Sequence, residues 1–255
     1  MLYRGAAARK PPRSVPEKDD MSTEDAKIKN IAGVIKKTVY RLLFSNESFS
    51  LCFFNLNGKI PWSEGYNVYK KRFILKAIES DLNFDRLPQG YGYRIDERAV
   101  EYPWLFSRLN DGFEYLLDAG SFLNFDYILS NSKMKNKKIF ISTLAPESSS
   151  FWNKGISYIY EDLRRTCYRD ALFDTIVCCS TLEHVGLDNT MLYTGDTEKN
   201  ENKTRTYLNV ISEFKRILKP GGRVFITVPY GKNLNFKWFQ VFDGAMIDDA
   251  EIGRA

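Results

Sequence analysis

The chain holds one histidine, His184, among 255 residues. It follows Glu183 at the end of the run Phe173-Asp174-Thr175-Ile176-Val177-Cys178-Cys179-Ser180-Thr181-Leu182. A neutral imidazole can take a proton from a hydroxyl or amine nucleophile near pH 7. The plainer use of such a residue is to hold a loop. One imidazole cannot build a centre of three histidines or a HExxH site, so no metal is expected. Two other segments carry chemistry. Leu116-Leu117-Asp118-Ala119-Gly120-Ser121 is an apolar run that ends in Asp-x-Gly-Ser. Gly120 lets the backbone turn sharply and approach a ligand, and free N–H groups at a following helix favour an anion. Glu161-Asp162-Leu163 closes another apolar run; a carboxylate there can accept a hydrogen bond from a purine amine.

These segments need a scaffold that brings them together. Apolar, β-branched runs at 115–119, 138–142, 156–160, 174–179 and 223–228 read as five strands. Each is apolar on successive residues, as strands covered on both faces are. Helical stretches are expected near 122–134, 148–153 and 204–218, the last stopped by Lys219-Pro220-Gly221-Gly222. Such alternation predicts an α/β fold, a doubly wound parallel sheet. The polar run 186–203 falls where a lid over the carboxyl ends of the strands would sit. Upstream, Ile28, Ile31, Ile35, Val39 and Leu42 recur at helical spacing. A second helix is expected over 66–80 and a third over 96–109, where Pro103 bends it or opens its second half.

Taken in order, these segments resemble a class I S-adenosylmethionine-dependent methyltransferase of the bacterial small-molecule or glycan type (methyltransferase type 11). The resemblance covers about residues 113–232. It rests on Leu-Asp-Ala-Gly-Ser, then Glu-Asp-Leu, then Phe-Asp with Leu-Glu-His-Val, then Phe-Lys-Arg-Ile-Leu-Lys-Pro-Gly-Gly with Thr-Val-Pro. It implies a Rossmann-like sheet of order 3-2-1-4-5 and S-adenosylmethionine as cofactor. Asp118, Gly120 and Ser121 would surround its methionine part, Asp162 and Leu163 its adenine, and Cys179 and Ser180 would line the pocket with backbone groups. Thr143 stands where the family usually has a ribose-binding acid, with Glu147 nearby in the following loop. Glu183 and His184 would sit near the acceptor as catalytic residues. Phe122 and Asn124 replace further glycines of the usual loop. The family's last two strands have no counterpart after Tyr230, so the domain reads as truncated or completed by a partner. An uncovered fifth strand would offer an edge for a homodimer.

Composition bounds the rest. The formal charge is +5. Arg4, Arg9, Lys10 and Arg13 supply +4 of it before residue 17, which leaves a body near +1. A nucleic-acid partner is therefore not expected; a small-molecule or glycan acceptor is. Residues 1–20 read as a disordered basic tail, 21–95 as a helical extension and 96–255 as the methyltransferase domain. No run reaches the length of a membrane span. Cys52, Cys167, Cys178 and Cys179 contain no CxxC and read as small buried hydrophobes, which fits a cytoplasmic protein. The alternative reading is a catalytically inactive relative that serves as a scaffold. A nicotinamide oxidoreductase is disfavoured, since the first loop lacks GxGxxG.

Overall fold

A computed structural model describes residue 34 and residues 37–39, 42–190 and 195–250. The expected basic tail, and Ile28, Ile31 and Ile35 of the first helical stripe, lie outside them. Val39 and Leu42 are helical and exposed. The described residues divide into two compact units at Val68/Tyr69. In the smaller one, α1 (Glu47–Leu56) starts at Asn46, whose side chain accepts from the N–H groups of Ser48 and Phe49 at 2.9 and 3.1 Å. Phe54 of α1 is fully buried, and its ring meets that of Tyr66 edge-on.

In chain order, α2 (Tyr66–Ile78) and α3 (Arg98–Arg108) come before β1 (Glu114–Ala119) and α4 (Asp126–Leu129). Next are β2 (Lys137–Thr143), β3 (Ser157–Tyr160) and β4 (Phe173–Cys179). After them come α5 (Tyr207–Ile217), β5 (Leu218–Thr227), the two-residue strands β6 (Leu234–Asn235) and β7 (Gln240–Val241), and α6 (Gly244–Ala250). The five long strands are all parallel, in the order β3-β2-β1-β4-β5. The doubly wound parallel sheet is the one expected from the alternation, and its Rossmann-like order is the one the resemblance implies. Successive apolar residues serve opposite faces: Leu116 and Val177 pack with α3, Leu117 and Cys178 with α5. A run with no polar alternation follows from that double covering. The strands β6 and β7 form a separate antiparallel ribbon, and residues 244–250 are helical.

Three elements differ from the sequence reading. The single helix expected over 122–134 is broken into α4 and a 3-10 turn at Ser132–Met134. The Asp118 carboxylate captures the N–H groups of Phe122 and Leu123, at 3.0 and 2.8 Å, and keeps them out of a helix. The stretch near 148–153 is one 3-10 turn, Trp152–Lys154, stopped by left-handed Gly155. The Lys-Pro-Gly-Gly stop lies within β5: its pairing with β4 jumps from Leu218 opposite Phe173 to Arg223 opposite Thr175. The loop thus bulges out of the ladder, with Lys219 Nζ on Asp174 Oδ1 at 2.7 Å. Cys178 and Cys179 are buried as expected, but Cys52 and Cys167 are exposed.

Pro103 sits inside α3 and is buried. It has no N–H for the carbonyl of Ala99, one helical turn back. The Tyr91 hydroxyl donates to that carbonyl instead, at 2.8 Å. The Gly90-Tyr91-Gly92 loop therefore repairs the helix that proline would have broken.

At the amino end of the sheet, Lys137 Nζ meets Glu114 Oε2 at 2.8 Å, with the two side chains 0% and 9% exposed. Removing one partner of such a pair leaves a charge uncompensated in the interior. We expect Glu114→Ala to cost about 3 kcal/mol in urea unfolding. A loss below about 1 kcal/mol would mean that the Asn110 carbonyl, 2.7 Å from Lys137 Nζ, holds the ammonium unaided.

Candidate functional site

The carboxyl ends of β1 to β4 surround a cavity of about 330 Å³. Gly120, Thr143, Asp162, Leu163 and His184 line it together with Glu161, Arg164 and Thr181. Asp118, Ser121, Cys179, Ser180 and Glu183 do not line it. The polar loop after β4 does contribute, through Asn189, Glu198 and Glu201. Lys203 N–H donates to the Gly186 carbonyl at 2.7 Å and closes that loop on itself.

Gly120 has φ +111°, and a Cβ there would collide with the Thr181 side chain. No larger residue allows the turns after β1 and β4 to approach this closely. Two buried polar atoms on these turns, Ser121 Oγ and Glu183 Oε2, have no hydrogen-bond partner. Thr175 Oγ1, inside β4, is in the same state, and none of the three atoms belongs to a residue on the cavity wall.

Asp118 is fully buried. Its carboxylate is occupied by its own loop, so it shapes the turn rather than facing the cavity. Burial pushes it up to about 7, against the two N–H bonds that favour its charged form. Half-buried Glu147 adds to that rise through its own charge. Thr143 ends β2 on the cavity wall. Asp162 lies just beyond β3, and its carboxylate is gripped by Arg164, with Nη2 to Oδ2 at 2.6 Å. Burial opposes the ionisation of Asp162, but Arg164 holds it below the usual carboxylate range. The same guanidinium reaches Glu201 Oε2 at 2.6 Å and so ties the post-β4 loop to the end of β3.

His184 is placed by its neighbours. Its Nδ1 lies 2.7 Å from the carbonyl of Trp238, whose ring stacks on the imidazole at 5.4 Å. A carbonyl only accepts, so Nδ1 carries the proton and Nε2 keeps its lone pair. Burial lowers the imidazole below its ordinary value, against the Trp238 bond that favours the cation. Glu183 is 4% exposed, and burial pushes it up to about 8. Its Oε1 is 4.0 Å from His184 Nε2. Near neutral pH this is an uncharged pair, a protonated acid beside a neutral imidazole, rather than an ion pair.

Sequence reasoning missed Arg164, Glu201 and Trp238, whose positions carry no motif. It also missed Arg98 and Glu101. These two share a stripe of α3 with Tyr102, Leu105, Phe106 and Leu109. Charged residues on an apolar stripe were the available signal. Glu101 Oε1 accepts from Ser180 Oγ at 2.9 Å and from Thr227 Oγ1, while Arg98 Nη1 donates to Glu101 Oε2. Among the described residues there is no cluster of metal ligands, and no helix is long and apolar enough to cross a membrane.

A family of methyltransferase domains matches residues 142–226. Among solved structures, an S-adenosylmethionine-dependent methyltransferase from Mesorhizobium loti is 15% identical over 51% of this chain and 53% of its own, at TM-score 0.36. Phosphoethanolamine N-methyltransferase 2 of Haemonchus contortus is 16% identical over 55% of this chain and 32% of its own, at 0.38. The 1,6-didemethyltoxoflavin N1-methyltransferase of Burkholderia thailandensis is 13% identical over 94% and 80%, at 0.41. The chain spans about half the length of the Mesorhizobium structure. No curated protein matches the sequence.

A buried carboxyl whose folded value is raised holds its proton more tightly than the unfolded chain does. Its contribution is intact at low pH and is lost as pH rises through the folded value. Through Glu183, stability should fall from about pH 4.5 to about pH 8. Glu183→Gln should remove this loss. In urea unfolding, its advantage over the parent should be larger at about pH 9 than at about pH 5, by a few kcal/mol. Equal advantages at both values would contradict the assignment.

Proposed function

We propose that this chain, whose residues 142–226 match a methyltransferase domain family, is a class I methyltransferase that transfers the methyl group of S-adenosylmethionine to a small-molecule or glycan acceptor. One observation carries the reading. The cavity at the carboxyl ends of β1 to β4 is built largely from residues 142–226, the segment that matches the family. In doubly wound sheets, ligands bind at that end.

The residues present fit such a cofactor. Thr143, Asp162 and His184 put polar groups on the cavity wall, beside Gly120, whose lack of a side chain lets the turn after β1 pack on Thr181. The lining carries Glu161, Asp162, Glu198 and Glu201 against Arg164, an acidic excess that suits a cationic ligand. Gly120 and Ser121 would hold the methionine part, Thr143 the ribose, and Asp162 with Leu163 the adenine; Cys179 and Ser180 would support that wall from behind. When bound, the sulfonium supplies an already activated methyl group, and the protein's task is alignment of the nucleophile.

His184 would serve as the base. Its Nε2 is the free nitrogen, and its depressed basicity keeps it neutral at physiological pH. Glu183, off the cavity wall and beside His184, would be an uncharged neighbour rather than a second base, because burial favours its protonated form. The acceptor proton would pass to His184 Nε2 as the new bond to carbon forms. The near-neutral body speaks against a nucleic-acid acceptor. A cytoplasmic location is part of the same proposal. The scaffold alternative gains from the capture of Asp162 by Arg164, which competes with an adenine contact.

Calorimetric titration decides between them. We expect S-adenosylmethionine to bind the parent chain and not Gly120→Arg. No binding at millimolar cofactor would overturn the enzyme reading. His184→Ala should keep cofactor binding and slow labelled methyl transfer into extract fractions by about a hundredfold. Full activity in that variant would reduce His184 to a loop-holding residue.

A further inference from the structure

We propose that Glu101, together with Arg98, is a positioning pair that holds the turn after β4 in the shape required by the cofactor and His184. The inference rests on the methyltransferase reading above.

Within one helical turn, α3 reaches three strand ends. Glu101 Oε1 accepts from Ser180 Oγ, just after β4, and from Thr227 Oγ1, the last residue of β5. Arg98 Nη1 donates to Glu101 Oε2 and also to Ser180 Oγ, at 3.0 Å. Tyr102 reaches the loop after β1: its hydroxyl donates to the Phe122 carbonyl at 2.6 Å, and its ring stacks on Phe122 at 4.3 Å. The Arg98 guanidinium covers the same Phe122 ring at 4.7 Å.

The turn in question needs holding. Ser180 has φ +48°, a left-handed conformation that disfavours any residue with a side chain. Its N–H is fixed by Thr227 O at 3.0 Å and its hydroxyl by Glu101. Thr181 follows and packs against Gly120. The Thr181 carbonyl then accepts the His184 N–H at 3.0 Å. A continuous set of contacts therefore joins Glu101 to the cavity wall and to His184.

Packing alone does not account for an acid here. Glu101 is 8% exposed, on a stripe whose other members are mostly apolar. An apolar side chain of similar volume often stabilises a fold as well as a buried ion pair does. What it could not do is accept two hydroxyl donors from the ends of two different strands. The pair thus specifies the relative position of β4 and β5 at their carboxyl ends.

The test measures S-adenosylhomocysteine affinity by calorimetry and unfolding temperature in parallel. Glu101→Ala should weaken binding about tenfold or more, and Thr227→Val in the same direction by less. Glu101→Gln, whose amide oxygen can still accept, should recover part of the loss. Glu114→Ala is the control: it removes an equally buried acid at the opposite end of the sheet. It should lower the unfolding temperature and leave affinity unchanged. If Glu101→Ala does not fold, Thr227→Val and Glu101→Gln carry the comparison. The proposal is overturned if affinity is unmoved by the Glu101 and Thr227 changes, or if Glu114→Ala weakens it equally. Failure of the parent chain to bind the analogue at all would instead overturn the underlying methyltransferase reading, and it would show before any variant is made.

Discussion

The turn after β1 touches the turn after β4, and the space between them admits no Cβ at Gly120. Much of the candidate site depends on that contact. It brings the loop held by Asp118 against the segment that carries Thr181, Glu183 and His184. It also requires strands β1 and β4 to be neighbours, which the order β3-β2-β1-β4-β5 provides. Side chains on either turn then reach a common space without any long flexible loop to place them.

Buried charge is treated in two ways in this molecule. At the amino end of the sheet, Glu114 is paired with Lys137, and the pair is structural. At the carboxyl end, Asp118 and Glu183 have no cation of their own, and burial raises both towards or beyond neutrality. Glu101 is intermediate, since Arg98 and two hydroxyls satisfy it. Unpaired, raised carboxyls in a fold of marginal stability are costly. Both raised carboxyls lie at the carboxyl end of the sheet, where ligands bind in this class of fold, and Asp118 there holds the turn after β1.

Much of the fold was legible in the sequence because strands covered on both faces read as unbroken apolar runs. Five such runs became the five strands, shifted by a few residues at most except at the start of β5. Where reading failed, the reason was a side chain acting on the backbone. Asp118 broke the helix expected at 122–134 by taking two of its N–H groups. The Lys-Pro-Gly-Gly turn was absorbed into β5 as a bulge. The site was legible to a lesser degree. Gly120, Thr143, Asp162, Leu163 and His184 converge on one cavity. Spacing could not show that Arg164 already engages Asp162, or that the carbonyl of Trp238, 54 positions downstream, orients His184. Such contacts depend on tertiary approach and leave no local periodicity.

The proposed function puts the methyl donor in the cavity beyond β1 to β4. A crystal structure grown with millimolar S-adenosylhomocysteine tests it most directly. The analogue is expected between Gly120 and Leu163, with Thr143 within hydrogen-bonding reach of the ribose and His184 on the side of the sulfur. An analogue bound elsewhere on the molecule, or absent from a well-ordered cavity at that concentration, would contradict it.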